Sequence, residues 1–367
     1  VTTPINTPYR AIFCDLLTDQ TLDILPLQDV TIDDYIGKPG SLSGTIPIPS
    51  QAIATRAANC IKEGRTAVYL QRGGDLWWGG IVWTSTLDST DRGVVTLGIQ
   101  AATFDSYANR RIIREDIAYT GVEQLDLVRD LWTRMEGYPG GDIGVSFGNE
   151  TSAQTRTISW NNGDETVYYD AIDQLAALDN GFEYHISVYR DPATGRRVRR
   201  LRLGSPRIVS GVSDLVLDMP GPILAYSFPG DATRGGTTAV ARGAGNSDDA
   251  PDSRPPVSSE QVSDLIGEGC PRIDLTGDYD SVTDVGTLDS LAANLLAQAE
   301  GSVVIPAITI RLDDLVPPAL LGRTVRIRIT DVWYTTGFVA RYRIIGAEVS
   351  PPQRGRPDTA NLYLEAL

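Results

Sequence analysis

The stretch Thr66-Ala-Val-Tyr-Leu-Gln-Arg-Gly-Gly-Asp75-Leu-Trp-Trp-Gly-Gly-Ile-Val-Trp83-Thr-Ser-Thr86, continued by Val94-Val-Thr-Leu-Gly-Ile-Gln-Ala101, decides the fold class. Val95, Leu97 and Ile99 alternate with Thr96, Gly98 and Gln100, the period-two pattern of a half-buried strand. Gly73-Gly74 and the polar cluster 88–93 supply turn chemistry between three β-branched and aromatic runs. The pattern predicts an antiparallel three-stranded meander. An echo lies near the C-terminus. There Val325, Ile327 and Ile329 alternate with Arg326 and Arg328, followed by Asp331-Val-Trp333, a turn at Gly337 and the stretch Phe338 to Val349. Two similar β units in one chain predict two related small β-barrels.

Outward from the meander, short strands are expected over 9–17, 22–25 and 30–36. Pro47 and Pro49 place the piece around Leu42 and Ile46 at a sheet edge. Ser50 is positioned to cap a short helix with Ile53, Ala57, Cys60 and Ile61 on one side. These elements and the meander form a first β domain, 1–105. An α+β insertion follows, 106–215. Thr120 and Glu123 have capping-box spacing before the stripe Val122, Leu125, Val128, Leu131, Trp132 and Met135. A second helix is expected from near Asp164 to Gly181, then a hairpin in which Tyr184, Ile186 and Val188 alternate before an Asp191–Gly195 turn. A second β domain spans 216–350, interrupted by a solvent loop at 246–260 and a helix at 287–300 capped by Thr287. A tail, 351–367, is polar until Leu362-Tyr-Leu364. The expected class is mainly β with an α+β insertion.

Composition bounds the function. A chain of 367 residues is ample for a real core. It contains no apolar run long enough to span a membrane, and Val1 to Pro8 lack the basic and apolar regions of a signal peptide. The net charge of −15 argues against a broad grip on nucleic acid, because phosphates need a positive footprint. It suits a surface past which DNA must slide without sticking. Cys14, Cys60 and Cys270 are odd in number and far apart, which predicts small buried hydrophobes rather than a disulfide framework or zinc site.

No catalytic, cofactor or metal site is assigned. His185 is the one histidine, and its alternation with Glu183 and Ser187 places it on the polar, solvated face of its strand. A Ser-His-Asp or Cys-His hydrolase would need it, and no Gly-x-Ser-x-Gly precedes a helix. Asp274, Asp278, Asp280 and Asp284 could offer oxygen ligands to calcium, but their spacing misses the EF-hand loop. Arg242-Gly-Ala-Gly245 lacks the third glycine of a dinucleotide fingerprint. Trp77 and Trp83 share one parity and Trp78 the other; packing is the expected use of all three, with sugar stacking the alternative. The basic run Arg196 to Arg202 is expected to pair with carboxylates of a neighbouring subunit.

Several stretches, in order, carry a resemblance: Lys38-Pro-Gly-Ser-Leu-Ser-Gly-Thr-Ile-Pro-Ile-Pro49, Trp78-Gly-Gly-Ile-Val-Trp83 and Phe104-Asp-Ser-Tyr-Ala-Asn-Arg-Arg111. Further along come Asn180-Gly-Phe-Glu-Tyr184, Pro220-Gly-Pro-Ile-Leu-Ala-Tyr226, Ala239-Val-Ala-Arg-Gly-Ala-Gly245 and Leu321-Gly-Arg-Thr-Val-Arg-Ile-Arg328. Together they resemble the tail-tip hub, or minor tail protein, of phages with long non-contractile tails, similar to the trimeric hub of contractile baseplates. Arg323 stands where that family usually has an acid after the glycine.

The resemblance implies two β-barrel domains per chain and a pseudo-six-fold ring of three chains. The function it implies is a structural virion protein at the tail tip, made in the host cytoplasm, joining the six-fold tube to three-fold tip parts. The implied partners are itself as a homotrimer, the distal tail ring protein, the tape-measure protein and downstream tip or fibre proteins. It implies no enzyme activity, no cofactor and no specific nucleic-acid binding. A carbohydrate-binding tip protein and, behind it, a cell-wall glycan hydrolase are the alternatives.

Overall fold

The first seven strands build the frame. In the computed structural model, which describes residues 9–244, 254–279, 282–300, 306–313, 315–351 and 358–367, β1 (Tyr9–Asp15), β2 (Thr21–Leu25), β3 (Gln28–Tyr35) and β4 (Ser41–Pro47) precede helix α1 (Gln51–Cys60). The meander follows as β5 (Thr66–Arg72), β6 (Asp75–Ser89) and β7 (Val95–Thr103), antiparallel throughout, with Ala67 opposite Ile81 and Val82 opposite Ala101. Ser50 caps α1 as expected, its side chain accepting from the Ile53 amide. Strand β4 is not at an edge, because it lies between β3 and β7. Pro47 is its last residue, and only the Ile48 amide, donating to the Val95 carbonyl at 3.0 Å, follows it on that edge of β7.

Strand β6 departs from simple alternation at two bulges. Leu70 faces Trp78 while Gln71 faces Leu76, which leaves Trp77 as the extra residue. Val82 faces Ala101 while Thr84 faces Gln100, which leaves Trp83 extra. Trp77 and Trp78 are therefore both buried despite opposite parity, and Trp83 is half-buried. Between the bulges, Gly79-Gly80 is required by close approach. A Cβ on Gly80 would lie 2.1 Å from the Ala102 carbonyl oxygen, and one on Gly79 would lie 2.7 Å from the Tyr69 ring.

The middle of the chain carries β8 (Ile117–Glu123), α2 (Gln124–Gly137), β9 (Val145–Phe147), β10 (Thr155–Trp160), α3 (Tyr168–Ala176), β11 (Glu183–Arg190) and β12 (Arg197–Gly204). The apolar stripe of α2 is buried from Leu125 to Met135 as expected. Its cap is Glu123, whose carboxylate accepts from the Leu125 and Asp126 amides at 3.1 Å each, while Thr120 sits inside β8. Helix α3 starts later than the pattern predicts. Glu165 takes a left-handed φ of 53° and Val167 bridges to Ile112, so the chain is still extended there. Strands β11 and β12 form the expected hairpin, and β9 adds to β12 in parallel.

The last third holds β13 (Ser210–Met219), β14 (Ile223–Ser227), β15 (Thr238–Gly243), β16 (Gln261–Val262), β17 (Asp274–Tyr279) and α4 (Val285–Ala299). Strands β18 (Ala307–Arg311), β19 (Arg323–Ile329), β20 (Phe338–Ser350) and β21 (Thr359–Ala366) follow. The echo of the meander is the antiparallel pair β19–β20, with Ile329 opposite Phe338. The C-terminal tail is not an appendage: β21 lies between β18 and β20, where Ala360, Leu362 and Leu364 are buried. Helix α4 is capped by Asp284, not by Thr287, whose amide donates to the Asp284 carboxylate at 2.7 Å. Much of the expected solvent loop 246–260 lies outside the described residues. Its end is tethered, since Ser258 is buried and accepts from the Ala241 amide at 2.9 Å.

Thirteen strands join in one hydrogen-bonded sheet, ordered β14-β18-β21-β20-β3-β4-β7-β6-β5-β1-β2, with β13 reaching it through β19. The seam between the two β units is the pair β20–β3, where Val349 faces Ile32. Among the described residues this path is open and closes into no barrel, so the two β units share one sheet. The fold is mainly β, and the strands of the large sheet are almost all antiparallel.

The chain divides into two compact units. The larger comprises Val1–Asp173, Phe182–Tyr226 and Ala307–Leu367. Its core is filled by Trp78, Trp132, Tyr69, Tyr168, Phe13 and Phe104. The smaller comprises Gln174–Gly181 and Ser227–Pro306. There α4 packs Leu288, Leu291 and Ala292 against Ala241 and Val282 beside the sheet β16-β15-β17.

Candidate assembly surface and buried polar network

His185 is where sequence and structure disagree most. It is buried at 1% exposure, and its Nε2 lies 3.0 Å from both carboxylate oxygens of Asp34 on β3. Strand β11 alternates as the pattern predicts, but His185 is buried on its polar face while Glu183 and Ser187 beside it are half-buried. Tyr184, Ile186 and Val188 are buried on one face. On the other, Glu183 accepts from the Ile208 amide at 2.7 Å and Ser187 donates to the Arg200 carbonyl at 3.4 Å. A polar face satisfied inside the protein looks in sequence like a polar face in water.

Asp105 stands behind this pair. It is 2% exposed and accepts from the Thr103 hydroxyl at 2.5 Å and from the Ser106 amide at 3.1 Å. Burial pushes its carboxyl up to about 6, against the pull of the Thr103 hydrogen bond and of His185. For His185, burial disfavours the charged ring, yet Asp34 and Asp105 outweigh it and hold the pKa above the ordinary histidine value. Among the described residues the ring's buried Nδ1 has no hydrogen-bond partner, so no described serine, threonine or cysteine is lined up for a proton relay. The arrangement binds two segments of the chain together.

Three further buried arginines do the same. Arg343 on β20 donates to Glu183 at 2.6 Å, to Glu365 on β21 at 2.6 Å and to the Ile208 carbonyl at 3.1 Å. Arg199 on β12 donates to the Tyr69 hydroxyl at 2.7 Å, to the Leu16 carbonyl at 2.8 Å and to Asp19 at 3.1 Å, stacked 4.4 Å above the Phe104 ring. Arg72 pairs with Asp358, both buried. Most of the basic run is thus spent inside the chain, contrary to the expectation that it awaits a neighbour: Arg197 and Arg199 hold Asp19, and Arg200 holds Glu150. A regular strand places these arginines, but which carboxylate each meets depends on contacts 50 to 180 residues away.

The aspartates considered for calcium are occupied otherwise. Asp274 pairs with Arg272 and the Thr238 hydroxyl, Asp278 with Arg242, and Asp284 caps α4; Asp280 lies outside the described residues. Among the described residues no group of three histidine, cysteine, aspartate or glutamate side chains could hold a metal ion. Cys14 and Cys60 are buried as expected, whereas Cys270 is exposed. No described helix is long and apolar enough to cross a membrane.

The outer surface offers features of another kind. After β19 the chain exposes Val332 and Trp333, at 95% and 79%, and Val339 follows on β20. Asp331 shapes this tip by accepting from the Trp333 and Tyr334 amides at 2.8 Å each. The corresponding tip of the first meander exposes Leu87 and Val94. On β13, β19 and β20 an ion-pair ladder is laid out: Asp214 takes Arg326 and Arg341, and Asp218 takes Arg328. Trp333 gave no sequence signal beyond its turn position. An aromatic side chain exposed at an ordered hairpin tip is of the residue type enriched at interface hot spots.

No protein-family model matches the chain, and no curated protein matches it. Solved structures do. A tail protein from Neisseria meningitidis superposes with a TM-score of 0.60 at 13% identity, covering 97% of this chain and 96% of that one. The 43 kDa tail protein of prophage MuSo2 from Shewanella oneidensis gives 0.61 at 10% identity, covering 97% and 98%. A prophage tail protein from Listeria monocytogenes gives 0.53 at 12% identity, covering 96% and 94%. Over at least 96% of its length the chain therefore has the fold of these phage tail proteins.

Proposed function

We propose that this chain is a structural, non-enzymatic subunit of a phage tail: the tail-tip hub, a homotrimer that joins the six-fold tube to three-fold tip or fibre proteins. In this reading it resides in the virion and lines part of the DNA channel. Its neighbours are the distal tail ring protein, the tape-measure protein and downstream tip proteins. In this reading 1–105 and 216–350 supply the two repeating β units, the second interrupted in sequence by 227–306 of the smaller unit and completed by β21, and 106–215 is the insertion between them.

The observation that carries the reading is the likeness to tail proteins across at least 94% of both chains. The two meanders support it, since three copies of two related units give the six positions a tube presents. The net charge of −15 suits a channel wall that repels passing DNA. Sugar stacking is weakened as an alternative, because Trp77 and Trp78 are buried and Trp83 is engaged with Ser106.

Native mass spectrometry of a tail-tip subcomplex is the test. Three copies per tip are expected, with no duplex DNA bound at physiological salt. One copy or six, or salt-sensitive DNA binding, would overturn the hub assignment.

A further inference from the structure

Within the larger unit a cleft of about 550 Å³ opens beside the β11–β12 hairpin. Arg190, Arg200 and Arg202 line it, together with the apolar side chains Leu76, Val188 and Pro318. Its carboxylates are Asp75 and Glu150.

The charges in this cleft do not balance. Glu150 is already divided, with one oxygen 3.3 Å from Arg200 and the other 3.3 Å from Arg129. Arg190 donates to the Gln71 amide oxygen and the Gly195 carbonyl, both at 3.0 Å, and Arg202 to the Ser210 hydroxyl at 2.9 Å. These acceptors are neutral, and among the described residues neither arginine has a carboxylate at ion-pair distance. Arg202 is half-buried. Burial lowers its pKa, an effect that Glu150 opposes and Arg200 reinforces. A guanidinium withdrawn from water without a counter-ion is costly, and its planar fork is shaped for an oxyanion.

We propose that this cleft docks an acidic side chain, flanked by aliphatic residues, on an extended segment of a neighbouring polypeptide. A carboxylate carries one charge, which matches the local excess of three guanidinium groups over two carboxylates. A phosphate would bring nearly twice that charge toward Asp75 and Glu150. The cleft is too small for a nucleic-acid duplex. Its apolar wall exceeds what a free carboxylate would cover, so the acid is expected to arrive on a chain with aliphatic neighbours. That the neighbour is another tail subunit rests on the hub reading; the site itself is a property of the isolated chain.

The test uses the full chain and two acetylated, amidated, fluorescently labelled pentapeptides, Leu-Val-Glu-Val-Leu and Leu-Val-Gln-Val-Leu, titrated by anisotropy at low salt. The acidic peptide is expected to bind, and the glutamine peptide to bind about tenfold more weakly or worse. Arg202→Gln and Arg190→Gln should each weaken the acidic peptide about tenfold, with unchanged circular dichroism. Arg196→Gln, exposed on the same hairpin outside the cleft lining, should leave it as it was. Equal binding of both peptides, no binding of the acidic one, or indifference to both cleft arginines overturns the proposal. So does inorganic phosphate displacing the peptide at lower concentration than acetate, which would mark a phosphate site. Lost peptide binding in a chain that still assembles as three copies sinks the docking site alone. Intact peptide binding without three-copy assembly sinks the hub reading alone.

Discussion

His185 and Asp34 stand 151 residues apart in sequence and meet inside the protein, with Nε2 at 3.0 Å from each carboxylate oxygen. The pair ties the β11–β12 hairpin of the insertion to β3, next to the seam where β3 meets β20. Its charge state therefore bears on how the insertion is held.

The first prediction is a stability that falls as pH rises through neutrality. His185 has a folded pKa above its unfolded value, so its contribution is complete below the unfolded pKa and is lost as pH rises through the folded one. Asp105 acts in the same direction: raised to about 6, it favours the folded state while protonated, and that advantage disappears between its unfolded value and about 6. Melting temperature should thus decline as pH rises, the Asp105 share being lost by about pH 6 and the His185 share at higher pH, beyond the ordinary histidine value. In His185→Gln the decline above about pH 6.5 should flatten. A variant that keeps the wild-type slope would remove His185 from the account.

Arg343 is predicted to be the most costly single arginine to lose. It stands at 2% exposure between Glu183 of β11 and Glu365 of β21. Arg343→Ala leaves Glu183 without its guanidinium and Glu365 with only the more distant Arg207, at 3.5 Å, and breaking such a partly buried network typically costs about 3–5 kcal/mol. Arg343→Lys should recover only part of this, because an ammonium cannot span both acids with the guanidinium's geometry. Urea unfolding measures both, and a loss below about 1 kcal/mol for the alanine variant would mean that the pairs are as weak as surface ones.

The two tryptophans of β6 should separate. Trp78 is 1% exposed and donates from Nε1 to the Asp33 carbonyl at 2.9 Å. Its replacement by alanine falls in the range of about 3–5 kcal/mol for buried tryptophan. Trp83 is half-buried at its bulge, with Ser106 at 2.9 Å and Arg110 over its ring. Its alanine variant should cost less, about 1–3 kcal/mol. Equal losses in urea melts would contradict the burial difference.

What was legible in the sequence was local. The meander, the α1 cap at Ser50, the stripe of α2 and the β11–β12 hairpin all follow from periodicity and turn residues, which act over a few neighbours. Three kinds of feature were not legible. Bulges at Trp77 and Trp83 shift the side-chain phase without changing composition. The seam between Ile32 and Val349 joins segments more than three hundred residues apart, so two β units that read as separate barrels form one sheet. And the polar face of β11 is largely satisfied by the protein itself, because Asp34, Arg343 and Ile208 come from elsewhere in the chain to meet His185 and Glu183. The arginine cleft belongs to the same class: the residues of β12 were visible as a basic run, but which of them lack a carboxylate depends on the tertiary structure.

The last prediction concerns the hairpin tip. Val332 and Trp333 make almost no use of the chain's own core, at 95% and 79% exposure, yet their turn is held in shape by Asp331. Truncating them should leave the isolated chain's stability within about 0.5 kcal/mol, as expected of surface positions. If the chain is an assembled tail subunit, the same truncation removes an aromatic anchor of the kind that dominates interfaces, where a single side chain commonly accounts for 2 kcal/mol or roughly more. Trp333→Ala is therefore predicted to melt like the wild type and to enter tail-tip complexes poorly. Asp331→Ala should show a weaker form of the same phenotype, because it loosens the turn but keeps the ring. The measurement is the copy number of the variant in purified tails beside the melting temperature of the free chain. Normal incorporation of Trp333→Ala with an unchanged melt would show that this tip faces solvent in the assembled tail, and would move the search for the contact surface to the Leu87 and Val94 tip of the first meander.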